Sequence, residues 1–152
     1  MDAMGNILEG VKTLKKIIFL IFMMMGSASL ANPYNYKITR VIDGDTVEFE
    51  APFMPAPLKP LLSIRVLGVD TPEKGHRAQC DKEAKAAIAA SEFTKNAVKN
   101  AKVTQILLES HDKYGGRVLG DVILDGKKLS ELLIANGHAR PYHGEKKSSW
   151  CN

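Results

Sequence analysis

The sequence holds little cysteine, tryptophan or histidine, and each scarcity closes off a class of structure. Two cysteines, Cys80 and Cys151, allow a single intrachain pairing. The four histidines, His76, His111, His138 and His143, show no zinc-ligand spacing, so they are read as surface or structural groups. No internal repeat is visible, which sets aside solenoid and propeller architectures. Long apolar runs are also missing. Residues 17–25 are uninterrupted, but Gly26 and the serines after it break the run well short of the roughly 20 residues a membrane-spanning helix needs. Charge of neither sign dominates: a formal +4 suits a polyanionic partner without requiring one.

What is present is 152 residues, 45% of them hydrophobic, enough for one domain with its own core. Residues 1–31 stand apart from it. Lys12, Lys15 and Lys16 precede the apolar run, and Gly26-Ser27-Ala28-Ser29-Leu30-Ala31 follows it, the order of a signal peptide with cleavage after Ala31. Export is therefore expected, to a periplasm or the medium, with an uncleaved anchor as the alternative. Removing the leader takes three lysines against Asp2 and Glu9, so residues 32–152 stay basic. Export also permits a Cys80–Cys151 disulfide, which would tie the C-terminal tail to the body and contribute about 3 to 5 kcal/mol in the chain-entropy picture. Two unpaired thiols are the alternative.

Residues 36–42 and 46–50 are rich in β-branched and aromatic side chains, and the Asp43-Gly44 between them is a hairpin signal. Residues 51–60 carry four prolines and predict an exposed loop or splayed hairpin tip. Residues 62–69 alternate as a third strand, with Arg65 opposite its apolar neighbours. A helix is expected over 81–102, its apolar stripe formed by Ala86, Ala90, Phe93, Ala97 and Ala101. Strands over 103–110 and 117–124 and a helix over 129–136, stopped by Gly137, complete the pattern. Three strands, a helix, two strands and a helix predict an α+β, mainly β chain: a closed five-stranded antiparallel barrel of the OB-fold type.

Two acidic segments face this frame. Asp45 opens the second strand, and Asp70 closes the third within Val69-Asp70-Thr71-Pro72-Glu73, where Pro72 stiffens the loop. Carboxylates meeting at one barrel edge repel unless a cation sits between them, and oxygen-only ligands point to a hard ion such as Ca²⁺ or Mg²⁺. Each segment has a plainer reading, as a hairpin turn and as a capping sequence, and Arg65 and Arg117 could be surface residues with buried stems.

The stretches DGDT (43–46), IRVLGVDTPE (64–73), SEFTKNAVKNAKV (91–103), DKYGGR (112–117) and LIANGHA (133–139) closely resemble the staphylococcal nuclease, or thermonuclease, family, in order over residues 36–142. The resemblance implies an OB-fold with packed helices and a Ca²⁺-dependent phosphodiesterase acting on DNA and RNA, single strands preferred, that leaves 3′-phosphate ends. It assigns Asp45, Asp70 and the Thr71 carbonyl to calcium, with Asp43 behind them. Glu73 would orient or deprotonate the attacking water, and Arg65 and Arg117 would clamp the phosphate. Lys113 and Tyr114 would contact a neighbouring phosphate, and Tyr142 stands near the position of a base-stacking tyrosine. A monomer with no stable membrane association after cleavage is expected.

Some features depart from the family pattern. Gly115 and Gly116 stand where it usually has one glycine, so Arg117 is expected to reach the phosphate through a bulge. The proline-rich segment lengthens a hairpin, and residues 76–80 differ from the family's lysine-rich substrate loop. Two rival readings keep the fold and drop the chemistry: a catalytically silent OB-fold that only binds nucleic acid, and a calcium-stabilised interaction module. The first has no need of Asp45, Asp70, Glu73 and both arginines together, and the second leaves Arg65 and Arg117 unexplained.

Overall fold

A computed structural model describes residues 32–113 and 116–152. The leader expected over residues 1–31, and Tyr114, lie outside the described residues. No described helix is long and apolar enough to cross a membrane.

Strand β1 (Ile38–Asp43) turns through Gly44-Asp45 into β2 (Thr46–Glu50), pairing Asp43 with Thr46. The Asp-Gly signal marks the turn, but the need for glycine comes from outside the hairpin. A Cβ on Gly44 would lie 2.9 Å from the Cβ of Ala90, because the long helix α1 (Asp81–Asn100) packs directly against the turn. Thr94, one turn further along α1, donates its hydroxyl to the Gly44 carbonyl at 2.7 Å.

Strand β3 (Leu61–Val66) pairs antiparallel with β2 and places Arg65 opposite Thr46. The expected third strand, residues 62–69, is split: Gly68 adopts φ +74, a left-handed conformation that a strand cannot contain. Val69–Asp70 becomes a separate short strand, β4. After α1 come β5 (Thr104–His111), β6 (Arg117–Leu124), the short β7 (Lys127–Lys128), helix α2 (Leu129–Ala135) and β8 (Arg140–Pro141). The main sheet runs β1-β2-β3-β6-β5, with β7 on β6, while β4 and β8 form their own antiparallel pair, Asp70 opposite Arg140.

This is the expected OB-type α+β arrangement, with two details set by the chain path. The β3–β6 pair is parallel, because α1 and β5 intervene and return the chain in the same direction. The expected closure is not made: β1 and β5 do not pair, and an isolated antiparallel bridge joins Tyr34, ahead of β1, to Ile106.

Val47, Phe49, Ile64, Val66, Ile106, Val122, Leu129 and Leu133 fill the interior. Each such side chain contributes roughly 1.5 to 3 kcal/mol when fully buried. The buried face of α1 differs from the expected alanine stripe. It comprises Glu83, Ala87, Ala90, Ser91 and Thr94, while Ala86, Phe93, Ala97 and Ala101 are half-buried on its flank. Polar residues occupy that face because two of them hold loops: Thr94 binds the β1–β2 turn, and Glu83 accepts from the backbone N–H groups of Glu73 at 3.2 Å and Gln79 at 2.7 Å. Cys80 caps α1 and is bonded to Cys151, with Cα atoms 6.0 Å apart, so the expected disulfide is present and holds the tail beside the start of the helix.

Candidate active site

The hairpin turn, the end of β3 and the loop after β4 meet at one rim of the sheet. A small cavity there is lined by Asp43, Asp45, Arg65, Thr71, Glu73 and Arg117, with Lys74, Arg77 and Ser91 around them. The sheet register accounts for much of this: Thr46 faces Arg65 across β2–β3, and Ser63 faces Arg117 across β3–β6. The loop carrying Glu73 is fastened by the buried carboxylate of Glu83 and by Lys74, whose ammonium donates to the Ile42 carbonyl.

Asp45 is 1% exposed. Arg65 approaches it with both terminal nitrogens, Nη2 at 3.0 Å from Oδ2 and Nη1 at 3.4 Å from Oδ1, and Thr46 donates to Oδ1 at 2.9 Å. Burial pushes the Asp45 carboxyl up to about 6; Arg65 works against that rise, and the charge of Asp43 adds to it. Asp43 Oδ1 and Ser91 Oγ are buried with no hydrogen-bond partner. An acceptor oxygen left bare beside a second carboxylate is a position that a cation would satisfy.

Asp70 is 4% exposed and lines a neighbouring cavity. Lys147 Nζ lies 2.7 Å from its Oδ1, and Trp150 donates Nε1–H to its Oδ2 at 3.1 Å. Thr71 and Glu73 border both cavities. Glu73 is paired with Arg77 at 3.2 Å and with Lys147 at 3.4 Å. As the side chains stand, no three carboxylate, histidine or cysteine groups among the described residues converge on one point. The donor chemistry nevertheless fits a hard cation: Asp43, Asp45, Asp70 and Thr71 offer oxygen alone, and Asp43 Oδ1 lacks a donor.

Arg117 opens β6, and its guanidinium donates from Nε at 2.9 Å and from Nη2 at 2.6 Å to Oδ2 of the buried Asp112. It borders the small cavity and also a wide groove shared with Arg65, Arg77, Lys113, Tyr142 and Lys147. Five cationic side chains and an aromatic ring on one concave surface form a chemistry suited to a polyanion. Lys113 is exposed on this groove, and Tyr142, half-buried, fixes its position by donating its backbone N–H to the Gly68 carbonyl at 3.0 Å.

A family model described as staphylococcal nuclease homologue matches residues 63–150. The chain belongs to this family. Among similar curated proteins, the thermonuclease of Staphylococcus hyicus is 35% identical over 117 residues, 74% of this chain and 62% of that protein. The endonuclease YhcR of Bacillus subtilis (strain 168) is 31% identical over 120 residues, 75% of this chain and 9% of that protein. The chain thus spans less than two thirds of either relative's length.

Within the staphylococcal nuclease homologue match lie Arg65, Asp70, Thr71, Glu73 and Arg117; Asp43 and Asp45 precede it. The fold brings the two groups together at one rim, apart from Asp70, which is drawn into the adjacent cavity. Reading the sequence missed the residues that hold the site in place. Glu83 is an acid in the first turn of α1, a position explained by helix-end charge alone. Asp112 sits in the matched DKYGGR stretch without an assigned task. Lys147 and Trp150 carry one available signal: a bridge from Cys151 to Cys80 must bring them near residues 70–80.

Proposed function

We propose that the protein is a Ca²⁺-dependent nuclease that hydrolyses phosphodiester bonds of DNA and RNA and leaves 3′-phosphate ends. The observation carrying this reading is that Arg65, Arg117 and Glu73 border one cavity with the carboxylates of Asp43 and Asp45 and with Thr71. Family membership supports it, as do relatives named thermonuclease and endonuclease.

Asp45, Asp70 and Thr71 would hold the ion, with Asp43 supporting them, and a bound Ca²⁺ would supply positive charge beside the phosphate. Arg65 and Arg117 bind the phosphate oxygens, Arg117 with its fork oriented by Asp112. Glu73 takes a proton from the attacking water as its oxygen adds to phosphorus. The bond from phosphorus to the 5′ oxygen then breaks, and that oxygen leaves, taking a proton from solvent water. The arginines gain most at the intermediate stage, when the phosphate oxygens carry extra negative charge. Lys113, Tyr114 and Tyr142 extend the contact to neighbouring nucleotides, and a cationic groove with an aromatic ring suits a flexible single strand.

The protein acts as an exported monomer in this reading. Residues 1–31 serve as the leader, and the Cys80–Cys151 bridge is of a kind that persists in oxidising compartments.

Incubating purified protein with single-stranded DNA and RNA, with Ca²⁺ or with chelator, beside a Glu73→Ala variant, tests the proposal. Cutting is expected only with Ca²⁺ and an intact Glu73. Equal cutting in chelator or by the variant would sink the mechanism, and binding without cutting would favour the silent nucleic-acid-binding alternative.

A further inference from the structure

The tail after β8 is held at several points beside Asp70. Cys151 is bonded to Cys80, Arg140 donates to the Ser149 carbonyl at 2.9 Å and lies 3.9 Å from the centre of the Trp150 ring, and Lys82 donates to the backbone of Asn152. These anchors set Trp150 and Lys147 on the two oxygens of one buried carboxylate, Oδ2 and Oδ1 of Asp70, and bring Lys147 to Glu73 as well. The ammonium thus stands on Asp70, which the proposed calcium site requires, and beside Glu73.

We propose that Lys147, seated by the disulfide-anchored tail, is the resident counter-ion of Asp70 and Glu73, and that it competes with a divalent cation for Asp70. The proposal rests on the Ca²⁺-dependent reading above. A cation can use both oxygens of Asp70 only when Lys147 and Trp150 have left, since the ammonium stands against Oδ1 and the indole N–H donates to Oδ2. An ammonium and a divalent ion on the same carboxylate repel each other, so the binding of one weakens the other. Lys147 also borders the cationic groove, where a substrate phosphate would offer it another anionic partner. Substrate and cation are then coupled favourably: a phosphate that draws Lys147 away leaves Asp70 to the ion.

The test is a calorimetric Ca²⁺ titration of the purified full chain, with emission from Trp150, the only tryptophan, recorded in parallel. Lys147→Met is expected to bind Ca²⁺ about tenfold more tightly than the wild type, within the usual range for coupled sites. Lys146→Met removes the same charge one residue away, and is expected to stay within about twofold. The Cys80→Ser/Cys151→Ser protein should shift the same way as Lys147→Met. In the wild type, Trp150 emission should change in step with binding as its N–H loses Asp70.

Equal or weaker Ca²⁺ binding by Lys147→Met overturns the proposal, as does wild-type binding that leaves Trp150 emission unchanged. If the wild type still cuts DNA with Ca²⁺ in either case, the nuclease reading stands. If neither wild type nor Lys147→Met binds Ca²⁺, both ideas fall together.

Discussion

Asp45 and Asp70 are buried carboxylates in neighbouring cavities, yet they acquire their counter-charges differently. Asp45 is met by Arg65, one strand away and held opposite Thr46 by the β2–β3 register. Asp70 is met by Lys147 and Trp150 from the C-terminal tail, held by a disulfide across 71 residues. In the first arrangement the strand register keeps the two partners adjacent for as long as the sheet is folded. The second depends on a covalent tether that lies outside the sheet.

Cutting that tether should have the largest effect on stability. For a bridge with a sequence separation of 71, the chain-entropy picture gives about 4 kcal/mol. Cys151→Ser should therefore lower the denaturation midpoint strongly in a urea titration, and a loss below about 1 kcal/mol would mean that the tail docks without its bridge.

On the strand side, Arg65→Ala should lower turnover on single-stranded DNA by a few hundredfold, equivalent to about 3 kcal/mol for one lost donor. Arg65→Lys keeps the charge but loses the fork, and should recover only part of the rate. A full recovery would reduce Arg65 to a simple counter-charge for Asp45.

Asp45 also makes a pH signature. Its folded pKa is raised from 3.8 to about 6, so between those values the folded protein keeps a proton that the unfolded chain has released. Stability should fall as pH rises through that window, by on the order of 3 kcal/mol, and stay low above it. Denaturation in chelator from pH 4 to 7 should show this slope in the wild type and lose it in Asp45→Asn. Arg65, Asp43 and Thr46 face the group, and the rise is the net result after Arg65's opposing pull.

The smallest expected change concerns the seat of the turn itself. Thr94→Val removes the hydroxyl that reaches the Gly44 carbonyl and should cost about 1 kcal/mol. Gly44→Ala, meeting Ala90, should exceed it, at about 2 kcal/mol. The reverse order would mean that helix α1 yields more readily than its hydroxyl anchor.

Much of the fold was legible because it rests on local patterns. Strand-forming residue types and turn signals marked β2 and β6 to the residue, and the alanines, lysines and glutamates of 81–102 marked α1, which ends two residues earlier. The face that α1 buries was not legible. Apolar periodicity chose Ala86 and Ala97, whereas Glu83, Ser91 and Thr94 are buried; Glu83 and Thr94 bind loops remote in the chain, a demand that periodicity cannot register. Gly68 ended β3 early for a similar reason: its left-handed conformation turns the chain so that β4 can pair with β8.

By itself the sequence determined which chemical groups are available: oxygen ligands in two segments, two arginines at strand positions, a glutamate after a stiff Thr-Pro, and one possible disulfide. Those are properties of residue type and short spacing. Only the tertiary structure decided which groups neutralise one another. The pairing of Arg65 with Asp45 follows from strand register, and that of Lys147 with Asp70 from a covalent tether, and both bring together charges that are far apart along the chain. Coulomb energy depends on separation through space and on burial, and neither is written in the order of the residues.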